Sequence, residues 1–223
     1  MTLTAAIESL YAAFADLPKP VAIDCCPCCV TDDERAAMVA KPLRELTWRN
    51  LVSYVTSARP KEGYIPDYLY FLPRIMEIAA TDPDWWPDPY MACIPISQTD
   101  PALWTPVRRK ALQDFFHALI DHLLSPEEED IYAVDDWLCG IASIHFDVRP
   151  LLAIIARSEE HIIAYYDRNA GTLIENGFLS NAFWERPNQG HDHIIEWFST
   201  SPAFDAIAIA YGIVLPNPEK PPA

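Results

Sequence analysis

The sequence predicts an all-α protein of about nine or ten helices, arranged as an irregular multi-helix bundle or a short HEAT-like helical repeat. Three observations lead there. Apolar residues recur at helical rather than alternating spacing. Twenty-one prolines cut the chain into helix-length pieces, and several of those pieces open on capping residues. The supply of core is ample, since 51% of the 223 residues are hydrophobic and only 22% are charged, so a packed globule is expected rather than disorder. No linker divides the chain, because the proline-rich stretch from Asp82 to Pro106 also carries tryptophans that favour burial. One domain is expected over residues 1–215, followed by a loose proline-rich tail at 216–223.

Taken in order, Leu3, Ile7, Leu10, Tyr11 and Phe14 form one apolar stripe that ends before Pro18. Thr31-Asp32-Asp33-Glu34 fits a capping box and starts a short helix to about Ala40. Thr47 caps a third helix through Trp48, Leu51, Val52 and Val55. Pro66 can open a fourth over Asp67 to Ala80, with a kink at Pro73. Thr105-Pro106 begins the strongest helix, with Leu112, Phe115, Phe116, Leu119, Ile120 and Leu123 on one face. Further helices are expected from Asp130 to about Ser143, from Asp147 or Val148 to Ala156, and from Ser158 to Asn169. Two more follow from His191 to Phe198 and from Pro202 to Tyr211. An echo between Pro73–Ala79 and Pro150–Ala156 would suit two helix-pair repeats.

Charge and glycine narrow the function classes. Lys and Arg number 16 against 32 Asp and Glu, a net charge of −16, which repels phosphate backbones and anionic membranes. Nucleic acid and membrane are therefore not expected partners. The apolar run Ala206 to Leu215 is about half the length of a bilayer crossing. No secretory leader is visible at the start, so a cytoplasmic location is expected. The six glycines lie too far apart for a Rossmann fingerprint, a P-loop or a nucleophile elbow.

The unusual chemical feature is Cys25-Cys26-Pro27-Cys28-Cys29. Two overlapping C-x-x-C pairs, Cys25 with Cys28 and Cys26 with Cys29, offer the bite by which two thiolates reach one zinc. Neighbouring side chains diverge, so one ion would take two or three of these sulfurs and a further ligand from elsewhere, with His191, His193 or Cys93 as candidates. Asp24, Asp32, Asp33 and Glu34 flank the thiols, which should raise thiol pKa values and favour a bound cation over a reactive nucleophile. Two other readings stay open: thiols that merely pack a turn, and redox chemistry of the C-x-P-C type, which needs a βαβ setting that is not visible.

Trp85-Trp86-Pro87-Asp88-Pro89-Tyr90 is the second distinctive stretch. Trp85 and Trp86 could anchor a protein partner or plug a groove between helices. Asp114, His117 and Asp121 read as a solvated helix face, and His191-Asp192-His193 as a capped, exposed helix start. Glu127 to Asp130 and Asp135-Asp136 read as solvated or capping carboxylates. No catalytic set is identifiable, and a binding or scaffolding protein is expected, with the thiol cluster as the alternative.

The strings Cys26-Pro27-Cys28-Cys29, Pro42-Leu43-Arg44-Glu45-Leu46, Phe71 to Glu77, His145 to Pro150 and Asn181-Ala182-Phe183-Trp184, in that order, resemble those of an uncharacterised family of bacterial helical proteins. The resemblance implies a helical fold and a cytosolic origin, and transfers no catalytic residue.

Overall fold

The computed structural model describes residues 1–23, 25–57, 67–184 and 187–213. Pro66, Asp24 and the tail at 216–223 lie outside the described residues. Among the described residues there are eleven α-helices and no strand: α1 (Leu3–Phe14), α2 (Asp32–Ala40), α3 (Trp48–Ser57), α4 (Tyr68–Thr81), α5 (Pro89–Cys93), α6 (Pro106–Leu123), α7 (Ile131–Ser143), α8 (Arg149–Ile155), α9 (Glu159–Asn176), α10 (Gln189–Phe198) and α11 (Ala203–Ala210).

The expected caps of α2 and α6 are in place, whereas at α3 the Asn50 side chain rather than that of Thr47 is the acceptor. The Thr31 hydroxyl accepts from the Glu34 amide while the Glu34 carboxylate accepts from the Thr31 amide at 2.7 Å, closing the capping box of α2. At the start of α3 the Asn50 carbonyl oxygen accepts from both the amide and the hydroxyl of Thr47. Thr105 caps α6 ahead of Pro106, whose missing N–H is harmless in the first turn.

Two local expectations are revised. The segment read only as a proline-rich loop contains α5, capped by the Asp88 carboxylate, and short 3-10 turns over Ile94–Gln98 and Pro101–Leu103. Proline at the first or second position of each of these turns explains how a helix-breaking residue serves as a helix start. The ninth helix runs past Asn169 to Asn176 and stops at Gly177, whose φ of 72° is the left-handed C-cap conformation. Asn169 does not end it because its amide is buried and satisfied, donating to the Tyr165 carbonyl at 3.0 Å.

Helix pairing is that of an irregular bundle. α1 packs most extensively on α6 and next on α4, far along the chain, while α5 packs on α7 and α9 on α11. The two proline segments of the sequence echo also differ in role, since Pro73 lies inside α4 and Pro150 in the first turn of α8. One hydrophobic cluster draws buried residues from Leu3 through Ile207. The α1–α6 contact is stapled by Arg108, only 3% exposed, which donates to the Ala13 carbonyl at 3.2 Å, the Leu103 carbonyl at 2.5 Å and the Asp16 carboxylate at 2.6 Å. α7 meets α10 at Gly190, where an added Cβ would stand 2.5 Å from that of Ala142. No helix among the described residues is long and apolar enough to cross a membrane.

Candidate functional site

Three of the four clustered cysteines converge. The chain turns tightly after Cys26, whose carbonyl accepts from the amides of Cys29 at 3.0 Å and Val30 at 3.1 Å. Val30 is fully buried and anchors the turn to the core immediately before α2. The Sγ atoms of Cys26, Cys28 and Cys29 thereby lie within 4.8 Å of one another, with Cys26–Cys28 at 2.6 Å and Cys28–Cys29 at 3.7 Å. Cys28 and Cys29 are exposed and Cys26 is half-buried. Cys25 stands outside this group. It packs against the core, and the Arg35 guanidinium faces its sulfur.

The electrostatics differ from the sequence expectation. The acidic neighbours were expected to raise the thiol pKa values, yet Cys26 is lowered to about 7 because the Cys28 thiol and amide, then those of Cys29, donate to its thiolate. Cys28 is correspondingly raised to about 11 by the adjacent sulfurs. Two of the flanking acids are engaged elsewhere: Asp32 pairs with Arg35, and Glu34 serves Thr31 and the Ser53 hydroxyl, the latter at 2.7 Å. Of Cys26 and Cys28, Cys26 is therefore the sulfur that ionises more readily.

The donor set suits a soft cation. Thiolates select zinc and Cu(I) over hard ions, and Zn–S bonds of about 2.3 Å place tetrahedral sulfur ligands about 3.8 Å apart. The Cys28–Cys29 separation already matches, and the Cys26–Cys28 pair would open by about 1 Å. Among the described residues no His, Cys, Asp or Glu adds a fourth atom to the group. The candidate further ligands lie elsewhere: Cys93 is buried against Gly140, His191 is buried beside Phe178 and Trp184, and His193 lines a cavity of about 90 Å³ with His145, Asp147 and Arg149. His191 is therefore not the exposed helix start expected, although Asn188 does cap α10. Asp114 and Asp121 are paired with Lys110 and Arg157, as a solvated helix face would be.

A second polar cluster was not recognised in the sequence. Asp135, read as solvated or capping, is fully buried on α7, where its carboxylate accepts from the Ser180 hydroxyl at 3.1 Å and the Asn169 amide at 3.4 Å. Arg168 stands 3.7 Å away. Its neighbour Asp136 accepts from the Asn181 amide at 2.7 Å, and the same amide group donates to Asp88 at 3.0 Å. Burial, then the charges of Asp88 and Asp135, push Asp136 up to about 6 against the Asn181 hydrogen bond and Arg168. The loop carrying Asn181 is also held by Phe183, stacked on Tyr90 at 4.8 Å. The available sequence clue was Asp135-Asp136 inside an apolar helix together with the Asn181-Ala182-Phe183-Trp184 string.

The tryptophan pair divides. Trp85 is partly buried and packs against the core, whereas Trp86 is 68% exposed. Comparison with protein families, curated proteins and solved structures finds no match.

Proposed function

We propose that this protein binds a thiophilic metal ion, zinc or another soft cation, through Cys26, Cys28 and Cys29. The observation that supports this reading is the convergence of three sulfurs on one closed turn, two of them open to solvent. Binding would replace the remaining thiol protons with the metal, so affinity rises with pH. The protein's strong negative charge favours cation approach. The hydrophobic core draws on none of these three sulfurs. A reducing, cytosolic setting would keep the sulfurs as thiols.

The test is titration of the anaerobically reduced full chain with zinc against a chromophoric chelator, repeated with cadmium to read the thiolate charge-transfer band. One equivalent should bind. Cys26→Ser, Cys28→Ser and Cys29→Ser should each weaken it by about tenfold or more, since each removes one thiolate bond. Cys25→Ser should leave it nearly unchanged. Absence of binding, or equal dependence on Cys25, would overturn the assignment.

A second reading rests on Trp86, whose exposed indole could anchor a protein partner as part of a helical scaffold. It requires an association that is lost in Trp86→Ala while the helical content stays constant.

A further inference from the structure

We infer that Cys26 and Cys28 are the site of a reversible oxidation that closes the metal-binding turn. This goes beyond metal binding and rests on that reading only for its consequence. The two sulfurs are in direct contact, within reach of a disulfide bond of about 2.05 Å. Closure therefore needs a small side-chain rotation on a turn already held by two backbone hydrogen bonds to the Cys26 carbonyl. Cys26 and Cys28 are the closest recorded pair: Cys29 is 3.7 Å from Cys28 and within 4.8 Å of Cys26, Cys25 stands outside the group, and Cys93 and Cys139 are buried away from oxidants. The exposure of Cys28 gives an oxidant access to the pair.

The co-reactant is a hydroperoxide. One thiol of the pair attacks the terminal peroxide oxygen, an S–O bond forms, the O–O bond breaks, and the leaving alkoxide or hydroxide takes up the thiol proton. The product is a sulfenic acid. The second sulfur then attacks the sulfenic sulfur, the S–S bond forms, the S–O bond breaks, and hydroxide departs with the second thiol proton as water. Overall, two thiols are oxidised to one disulfide while the hydroperoxide is reduced to an alcohol, or to water, and a further water. The disulfide removes two of the three thiolates from the site, so a bound soft cation is released. Thiol reductants restore the site by exchange.

The experiment treats the reduced, zinc-loaded full chain with hydrogen peroxide and follows differential alkylation by peptide mass spectrometry alongside zinc release to a chromophoric chelator. The expected result is loss of two hydrogens mapped to a Cys26–Cys28 bond, with zinc release at the same rate and reversal by dithiothreitol. Cys29→Ser should still form the bond; Cys28→Ser should not, and should overoxidise to sulfinic acid instead. Formation of Cys28–Cys29 or only intermolecular disulfides would overturn the inference, as would zinc release without a disulfide. If zinc binds and no disulfide forms, the inference fails while the metal reading stands. If the Cys26–Cys28 bond forms in a chain that never holds zinc, the oxidation site stands and the metal reading fails.

Discussion

Replacing Asp136 by Asn should stabilise the protein at neutral pH and leave it unchanged in acid. In the folded state the Asp136 carboxyl sits at about 6, above its ordinary value of 3.8, because it is desolvated and faces Asp88 and Asp135. Its proton is therefore held more tightly in the folded chain than in the unfolded one. Above pH 6 the carboxylate form costs stability; as pH falls through 6 toward 4 that cost disappears. A shift of about two units corresponds to about 3 kcal/mol at 1.36 kcal/mol per unit. Asp136 is only part-buried, so solvent screening reduces this to about 1–2 kcal/mol. Asparagine retains the oxygen that accepts from Asn181, so the bridge to Asp88 survives. Urea unfolding followed by circular dichroism should show D136N more stable by that amount at pH 7.5, with Tm raised by about 3–6 °C. The gap should close by pH 4. A difference independent of pH, or destabilisation at pH 7.5, would refute the reasoning and show that the charge of Asp136 is needed in place.

Other perturbations test the packing that holds the site. Gly190→Ala should cost roughly 1–3 kcal/mol by overpacking the α7–α10 contact against Ala142; an unchanged urea midpoint would count against that contact. Arg108→Met keeps the apolar stem but removes three hydrogen bonds, and thermal denaturation should report a loss of about 2–4 kcal/mol. Its partner Asp16 is 75% exposed in its side chain, so Asp16→Ala should cost far less than Arg108→Met, and equal losses would disprove the staple. Thr31→Ala opens the capping box of α2 and should cost about 1 kcal/mol by the same assay; no loss would mean that the following carboxylates cap the helix alone.

Local rules made much of the fold legible. Thr31 and Glu34, Thr47, and Thr105-Pro106 each start a helix in the structure, because a cap is made by residues within one turn of each other. The misreadings occur where a residue's role depends on something distant. Asn169 resembled a helix end, yet a buried carboxylate on another helix and the adjacent carbonyl satisfy it. Asp135 and Asp136 resembled surface acids, because the residues that enclose them, Ser180 and Asn181, lie 45 positions away. Glycines at 140 and 190 carried no visible pattern, and their need for a missing Cβ comes from chains that meet only after folding.

The candidate site divides the same way. Four cysteines around one proline identified the turn, and their residue types alone imply soft-metal or redox chemistry. Which sulfurs converge depends on how Val30 anchors the turn to the core and how Arg35 faces Cys25. The sequence by itself determined most of the helices, through spacing and caps that operate over a few residues, and it placed the thiols together. Tertiary structure decided the opposite pKa shifts of Cys26 and Cys28, the burial of the Asp135–Asp136 pair and the exposure of Trp86 rather than Trp85. Those properties follow from desolvation and from hydrogen bonds between segments remote in the chain, which no local pattern encodes.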